Sequence, residues 1–166
     1  VSPMDQYSAV DGVPGDWHFV HLGSRAVGGA GLVYVEMTCP SPEARISPGD
    51  TGLWNEAQRD AFKRIVQFCT PQSRAKMCMQ LGHSGRKARR SVPWEGRVPL
   101  AQCPGVDHGE AWELIAPSAI AFSNKYAVPR AMTHHDIQEA IHLWGQAARR
   151  AGEAGFDVLE LHGAHG

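Results

Sequence analysis

Short apolar runs alternate with stretches of helical periodicity along this chain, and this alternation constrains its fold more than any other feature. Residues 31–37, 75–81 and 156–162 are runs rich in Val, Leu and Met, each bounded by Gly or polar residues. Runs of this length and composition predict buried β-strands. Residues 2–4 fit the tail of a further strand that begins before Val1.

Three stretches between these runs predict amphipathic helices. Their expected N-caps are Asp16, Asn55 and Thr133, and their expected ends are marked by Gly28, by Pro71 just beyond the second helix, and by Gly155. The stripes expected to face the core are Trp17, Val20, Ser24 and Val27; then Ala57, Ala61, Phe62, Ile65, Val66 and Cys69; then Ile137, Ala140, Ile141, Trp144, Ala147, Ala148 and Ala151.

Strands that alternate with helices indicate an α/β fold in which crossover helices connect parallel strands. Residues 83–132 interrupt the pattern, with five prolines and a cluster of Arg and Lys near the start of the segment. We interpret this segment as a hairpin or lid over one end of the sheet, within a single domain that spans residues 1–166.

Composition excludes several classes of protein. The 166 residues include 16 Lys or Arg and 17 Asp or Glu, so the net charge of -1 gives no reason to expect nucleic acid or a membrane surface as a partner. No apolar run approaches the ~20 residues of a transmembrane helix. The four cysteines form no CxxC pair, so neither a metal site nor a disulfide framework is expected, and we predict a reducing, cytoplasmic setting.

Unusual polar residues follow each predicted strand. Asp5 and Tyr7 follow the first, Thr38 follows the second, residues 80–86 follow the third, and His162 and His165 follow the fourth. Ligands of parallel α/β folds bind at the carboxyl ends of strands, so these residues predict one shared site.

Each feature of this site has alternative interpretations when taken alone. His162 and His165 could hold an anion or a carbonyl oxygen, could be two ligands of an incomplete metal site, or could belong to a plain turn. Gln80 could pair with a flat heterocycle or be satisfied within the core. Residues 82–87, GHSGRK, could hold phosphate or form a solvated loop, and residues 28–31 precede a strand, which argues against a dinucleotide fingerprint.

Taken together and in order, the motifs resemble the old yellow enzyme family over essentially the whole chain. The matching segments are SPM at 2–4, Tyr7, DWH at 16–18, His21, SRA at 24–26, EMT at 36–38, RIS at 45–47, GLW at 52–54, QLGHSGRK at 80–87, APSAI at 116–120, AGFD at 154–157 and ELHGAHG at 160–166. The resemblance implies a (β/α)8 barrel that binds FMN, of which this chain supplies roughly the first four βα units with a long excursion after strand 3.

The resemblance also implies a reaction and a set of roles. NADH or NADPH would reduce FMN, which would pass hydride to an alkene conjugated to a carbonyl group. Ser2, Pro3, Met4, Asp5 and Met37 would lie against the flavin, Gln80 would bond its pyrimidine edge, and Tyr7 would line the substrate pocket. His162 and His165 would hold the carbonyl oxygen of the acceptor as catalytic and substrate-binding residues.

Asp5 departs from the Cys or Thr that the family usually has beside the flavin. The segment SPMDQYS resembles the reductase part of bifunctional aminobenzoyl-CoA or salicylyl-CoA monooxygenase/reductases, which would make the substrate a CoA thioester. A complete barrel needs ~250 residues, so we expect the N-terminal half of a longer, homo-oligomeric enzyme that is inactive by itself. The alternative is a non-catalytic half-barrel that acts through dimerisation or partner binding.

Overall fold

The computed structural model describes residues 1–103 and 112–164. Helices α1 (Asp16–Val27), α2 (Glu56–Gln72) and α3 (His134–Ala154) alternate with strands β1 (Leu32–Thr38), β2 (Lys76–Leu81) and β5 (Val158–Leu161). Two-residue strands β3 (Ile115–Ala116) and β4 (Arg130–Ala131) lie between β2 and α3. No helix of the described segments combines the length and apolarity needed to cross a bilayer.

The predicted parallel arrangement is confirmed. The sheet has the order β1-β2-β5, and both pairs are parallel, with Val33 opposite Met77 and Met79 opposite Leu159. The side chains of Val33, Met77 and Met79 are fully buried in the main core beneath α1, α2 and α3. Because the strands run in one direction, their carboxyl ends meet at the same edge of the sheet.

The predicted stripe of α1 is wrong. Trp17, Val20 and Val27 are more than half exposed, and the residues that the helix buries are His18, Leu22, Gly23 and Ala26. His18 occupies a core position because its Nε2 lies 3.4 Å from the equally buried carboxylate of Glu36 on β1. Its Nδ1 accepts a hydrogen bond from the backbone N–H of Gly15, which is the N-cap in place of the predicted Asp16.

The other two helices begin where the sequence predicts. Asn55 and Thr133 accept hydrogen bonds from the backbone N–H groups of Gln58 and Asp136, respectively, and so cap α2 and α3. Pro71, expected beyond α2, instead lies within its last turn. Gly155 ends α3 with φ 96°, a left-handed conformation that glycine adopts without steric cost.

The start of the chain lies along β1, although residues 2–4 do not form a strand. The amino group of Val1 donates to the Leu32 carbonyl, and the Val1 carbonyl accepts from the N–H of Tyr34 at 3.1 Å. These two bonds are one rung of a parallel ladder, and the chain then leaves the sheet at Ser2. Strand-like pairing at the start of the chain is therefore seen at Val1 and not at the predicted residues 2–4.

The described part of segment 83–132 is joined to the loop after β1 by backbone hydrogen bonds. The N–H groups of Ser84 and Arg90 donate to Ala44 and Ile46, and Arg90 forms an antiparallel bridge with Pro99. Strands β3 and β4 pair in parallel, so they do not form a hairpin with each other. The cluster of Arg and Lys residues near the start of this segment lies on the loop that these hydrogen bonds hold in place.

Strand β5 exposes apolar side chains at one side of the sheet. Within the described residues β5 pairs only with β2, and Val158, Leu159 and Leu161 are 41%, 41% and 64% exposed. An apolar strand with an unpaired edge is a template for association with another chain.

We therefore expect the 166-residue chain by itself to self-associate in sedimentation velocity. Leu161→Lys places a charge on the β5 edge and should shift the distribution toward monomer. Val20→Lys is the matched control, because Val20 is 65% exposed on α1, away from that edge. A chain that sediments as a monomer without substitution would contradict this expectation.

Candidate active site

A cleft of about 430 Å³ opens at the carboxyl ends of the parallel strands. Its described lining residues come from the start of the chain, from strands β1 and β2, and from the segments that follow β1, β2 and β5. They are Pro3, Asp5, Tyr7, Met37, Ile46, Gln80, His83, Ser84, Lys87, Arg97, His162 and Ala164. The topology thus brings distant polar residues of the sequence to one concave surface.

Met37, Gln80 and His162 are fixed in the cleft by the ends of β1, β2 and β5. Met37 and Gln80 are opposite each other in the strand register, and the His162 N–H donates to the Leu81 carbonyl at 2.8 Å. Gly82 follows β2 at a position where any side chain would clash with its neighbours. A Cβ added there would lie 2.5 Å from Cγ of Met37 and 3.3 Å from Cβ of His162.

Gln80 presents an amide at the floor of the cleft. Its Nε2 donates to Oε1 of Glu160 on β5 at 2.5 Å, which fixes the orientation of the amide. Among the described residues, the Gln80 carbonyl oxygen has no hydrogen-bond partner, and the NH₂ group has a second hydrogen. The side chain can therefore offer one acceptor and one donor to a flat polar molecule.

Asp5 and Tyr7 form a coupled pair at the cleft wall. The Tyr7 hydroxyl donates to Oδ2 of Asp5 at 3.4 Å, a long hydrogen bond. Burial and the negative charge of Glu36 raise the pKa of Asp5 to about 6, against the hydrogen bonds from Tyr7 and the Met37 backbone and the positive charge of Arg97. Burial and the nearby Asp5 raise the pKa of Tyr7 to about 12.

A second carboxyl group lies buried behind this pair. Asp50 accepts hydrogen bonds from the Ile46 N–H at 2.6 Å and from the Ser47 hydroxyl at 2.7 Å. Burial, then the charge of Asp5, raise the pKa of Asp50 to about 7. Burial therefore disfavours ionisation of both carboxyl groups, and the charge of Asp5 disfavours ionisation of Asp50 further.

The structure brings together most, but not all, of the residues that the sequence assigned to the site. Asp5, Tyr7, Pro3, Met37, Gln80 and His162 line the cleft. Ser2 and Met4 do not line it, and Met4 is 67% exposed. His165 lies outside the described residues.

Several residues that line the cleft were given no individual role from the sequence, although the segment 82–87, which contains Lys87, was a candidate phosphate site. Ile46 comes from the loop after β1, and Lys87 and Arg97 come from the excursion after β2. The cluster of basic residues near the start of that excursion was a signal for the two cations. Ile46 belongs to the matching segment RIS at 45–47, but only the tertiary structure places that loop beside Tyr7.

The chain belongs to the NADH:flavin oxidoreductase / NADH oxidase family, whose model matches residues 1–166. It is 43% identical to an NADH:flavin oxidoreductase of Gibberella zeae over 169 residues, and 44% identical over 168 residues to an NADPH dehydrogenase of Listeria monocytogenes. These alignments cover 100% of this chain but 40% and 44% of the relatives, so the chain spans less than half of their length.

Solved structures support the same assignment. Morphinone reductase matches 97% of this chain with a TM-score of 0.77 and 27% identity, and an old yellow enzyme from Pichia sp. AKU4542 matches 99% with a TM-score of 0.80 and 27% identity. The matches cover 42% and 41% of those chains. The predicted α/β fold, part of a (β/α)8 barrel, is thereby confirmed.

The two neighbours of Asp5 should move its pKa in opposite directions. Tyr7→Phe removes a donor that stabilises the carboxylate, so the pKa should rise above about 6; Glu36→Gln removes a repelling charge, so it should fall. A ¹³C NMR titration of the Asp5 carboxyl carbon measures both shifts. Asp60→Asn, on the exposed face of α2, is the control, and shifts of the same sign in both variants would contradict this electrostatic account.

Proposed function

We propose that this chain forms the first half of an FMN-dependent NAD(P)H oxidoreductase that reduces an alkene activated by a conjugated carbonyl group. The observation that carries the proposal is the cleft in which Asp5, Tyr7, Met37, Gln80 and His162 converge at the carboxyl ends of parallel strands. Membership of the flavin oxidoreductase family supports the same reaction class.

The residues at the cleft floor fit a flavin. The unoccupied hydrogen-bonding capacity of Gln80 matches the alternating donors and acceptors of a flavin pyrimidine edge. The lack of a side chain at position 82 lets Met37 and His162 pack closely against the backbone there, which holds both side chains beside the cleft floor. In this proposal Met37 and Pro3 contact FMN, Asp5 lies beside it, and Ser2 and Met4 approach it through their backbone. FMN supplies the two-electron redox chemistry when bound.

In this proposal His162 and Tyr7 of the cleft, together with His165, bind and polarise the acceptor. His162 and His165 donate hydrogen bonds to its carbonyl oxygen, which stabilises the negative charge that develops there as the alkene is reduced. Tyr7 borders the acceptor, and its hydroxyl retains its proton at neutral pH because its pKa is about 12. Asp5 sets the local charge, since its pKa of about 6 leaves it mostly ionised above neutral pH.

We propose a thioester of coenzyme A as the acceptor, an enoyl or aryl-CoA, because the SPMDQYS segment resembles that branch of the family. The other assignments proposed for the complete protein are homo-oligomeric assembly and a cytoplasmic location. The test of function is anaerobic: NADH or NADPH should bleach the flavin absorbance of the FMN-loaded protein, and an enone or enoyl-CoA should restore it. A flavin that NAD(P)H bleaches but neither acceptor reoxidises would contradict the proposed reaction.

Replacing His162 by Ala should weaken the binding of phenolate-type ligands and slow alkene reduction, while flavin reduction by NAD(P)H changes less. A charge-assisted hydrogen bond contributes roughly 1.5–3 kcal/mol, so the Kd read from the flavin charge-transfer band should rise at least about tenfold. His165→Ala should act similarly. His142→Ala, exposed on α3, is the control, and unchanged phenol binding in the double variant would exclude the assigned role.

Asp5→Asn should raise the midpoint potential of the flavin in a pH-dependent way. At pH 8 the ionised carboxylate opposes the negative charge of a reduced flavin, and two charges ~4 Å apart interact by about 1–4 kcal/mol. For a two-electron couple this is roughly 20–90 mV.

At pH 5, below the Asp5 pKa of about 6, the native side chain is mostly neutral and the difference between the two proteins should shrink. Potentiometric titration at both pH values measures it, with Asp11→Asn as the control. Equal potentials at pH 8 would show that Asp5 does not tune the flavin.

A further inference from the structure

Three cations lie in the cleft or in a recess beside it, and none of them forms an ion pair with a carboxylate of the described residues. Lys87, Arg90 and Arg97 line a recess of about 80 Å³ that shares Tyr7 and Ile46 with the main cleft. Of the three, Lys87 and Arg97 also line the main cleft, whereas Arg90 lines the recess alone.

Aromatic rings hold two of these cations in place of acidic groups. The guanidinium of Arg90 lies 5.5 Å from the ring centres of Phe122 and Tyr126, and the ammonium of Lys87 lies 5.4 Å from that of Phe122. A ring fixes the position of a cation without neutralising its charge. The positive charge therefore remains available to a ligand.

The backbone of the excursion holds the recess in a defined shape. The Arg90 N–H donates to Ile46, and the Ser91 N–H donates to Val98, which closes the loop that contains Arg97. Arg97 has φ 54°, a left-handed conformation that is unfavourable for an arginine, and the Tyr126 hydroxyl donates to its carbonyl at 3.0 Å. The fold thus maintains Arg97 at the cleft despite this backbone cost.

The charge around the recess is predominantly positive. The only carboxylate among the described residues that line either cavity is Asp5, set against the three cations. The Nε of Arg90 is buried and has no hydrogen-bond partner within the described part of the chain. Arginine and lysine in this arrangement are the groups that bind phosphate in proteins.

We propose that Lys87, Arg90 and Arg97 form an anion subsite that binds a phosphate group of the molecule entering the cleft beside Tyr7. This inference rests on the proposed function, because it identifies the class of molecule that the cleft accepts. Phosphate is common to a nicotinamide dinucleotide and to a CoA thioester. The subsite anchors the phosphorylated end while the reacting end reaches the floor of the cleft.

The direct test is calorimetric binding of inorganic pyrophosphate to the FMN-loaded protein. Lys87→Gln, Arg90→Gln and Arg97→Gln should each weaken this binding by roughly tenfold, because each removes a charge-assisted contact. Added salt should weaken it further by screening. Phe122→Leu retains the charges but removes their aromatic support, and should cause a smaller loss. Arg64→Gln is the matched control, since Arg64 also lies over a ring, that of Phe19, at 4.7 Å on another surface.

Kinetic measurements identify the source of the phosphate. A rise in KM confined to NADPH assigns the subsite to the hydride donor, and a rise confined to enoyl-CoA assigns it to the acceptor. An equal rise for an enone without phosphate would overturn the proposal, because the three residues would then act on the cleft as a whole. Loss of FMN in the glutamine variants would also overturn it, by assigning the cations to the flavin.

The pyrophosphate experiment can fail or succeed independently of the test of the proposed reaction. Pyrophosphate binding that the glutamine variants weaken supports the subsite even if no acceptor reoxidises the flavin. Absence of pyrophosphate binding in a protein that retains FMN and reduces an enone rejects the subsite and leaves the reaction intact.

Discussion

The parallel pairing of β1, β2 and β5 is the constraint on which the rest of the structure depends. It places Met37, Gln80 and His162 at one edge of the sheet although they are far apart in the sequence. The crossover helices that parallel strands require cover one face of the sheet and bury Val33, Met77 and Met79. The cleft forms where those helices do not reach, at the carboxyl ends.

Charge is distributed unequally around that cleft. Carboxyl groups gather behind one wall, where the charge of Glu36 disfavours ionisation of Asp5 and the charge of Asp5 disfavours ionisation of Asp50. Cations from the excursion form the other wall, and aromatic rings hold them in place of acids. This separation gives the cleft a side suited to controlling a proton and a side suited to binding an anion.

Local sequence patterns predicted the helix starts correctly where a capping residue preceded a stretch of helical periodicity, as in α2 and α3. Asn55 and Thr133 cap their helices as expected. Each side chain accepts a hydrogen bond from the backbone N–H three residues further along, so the cap depends only on residues close together in the sequence. The stripe of α1 was wrong because His18 occupies a core position through a contact with Glu36, which a count of apolar residues does not anticipate. Long-range pairing also decided that Val1, rather than residues 2–4, extends the sheet.

The sequence by itself determined the strand and helix alternation, the family resemblance and the candidate polar residues at the strand ends, because these depend on residues close together in the chain. The tertiary structure alone decided that the Gln80 amide is oriented by Glu160, that Asp5 has Glu36 and Asp50 as neighbours, and that Arg97 shares a wall with Tyr7. Their common physical reason is distance: electrostatic and hydrogen-bonding energies depend on separation in space, which the chain sets only once its strands have paired.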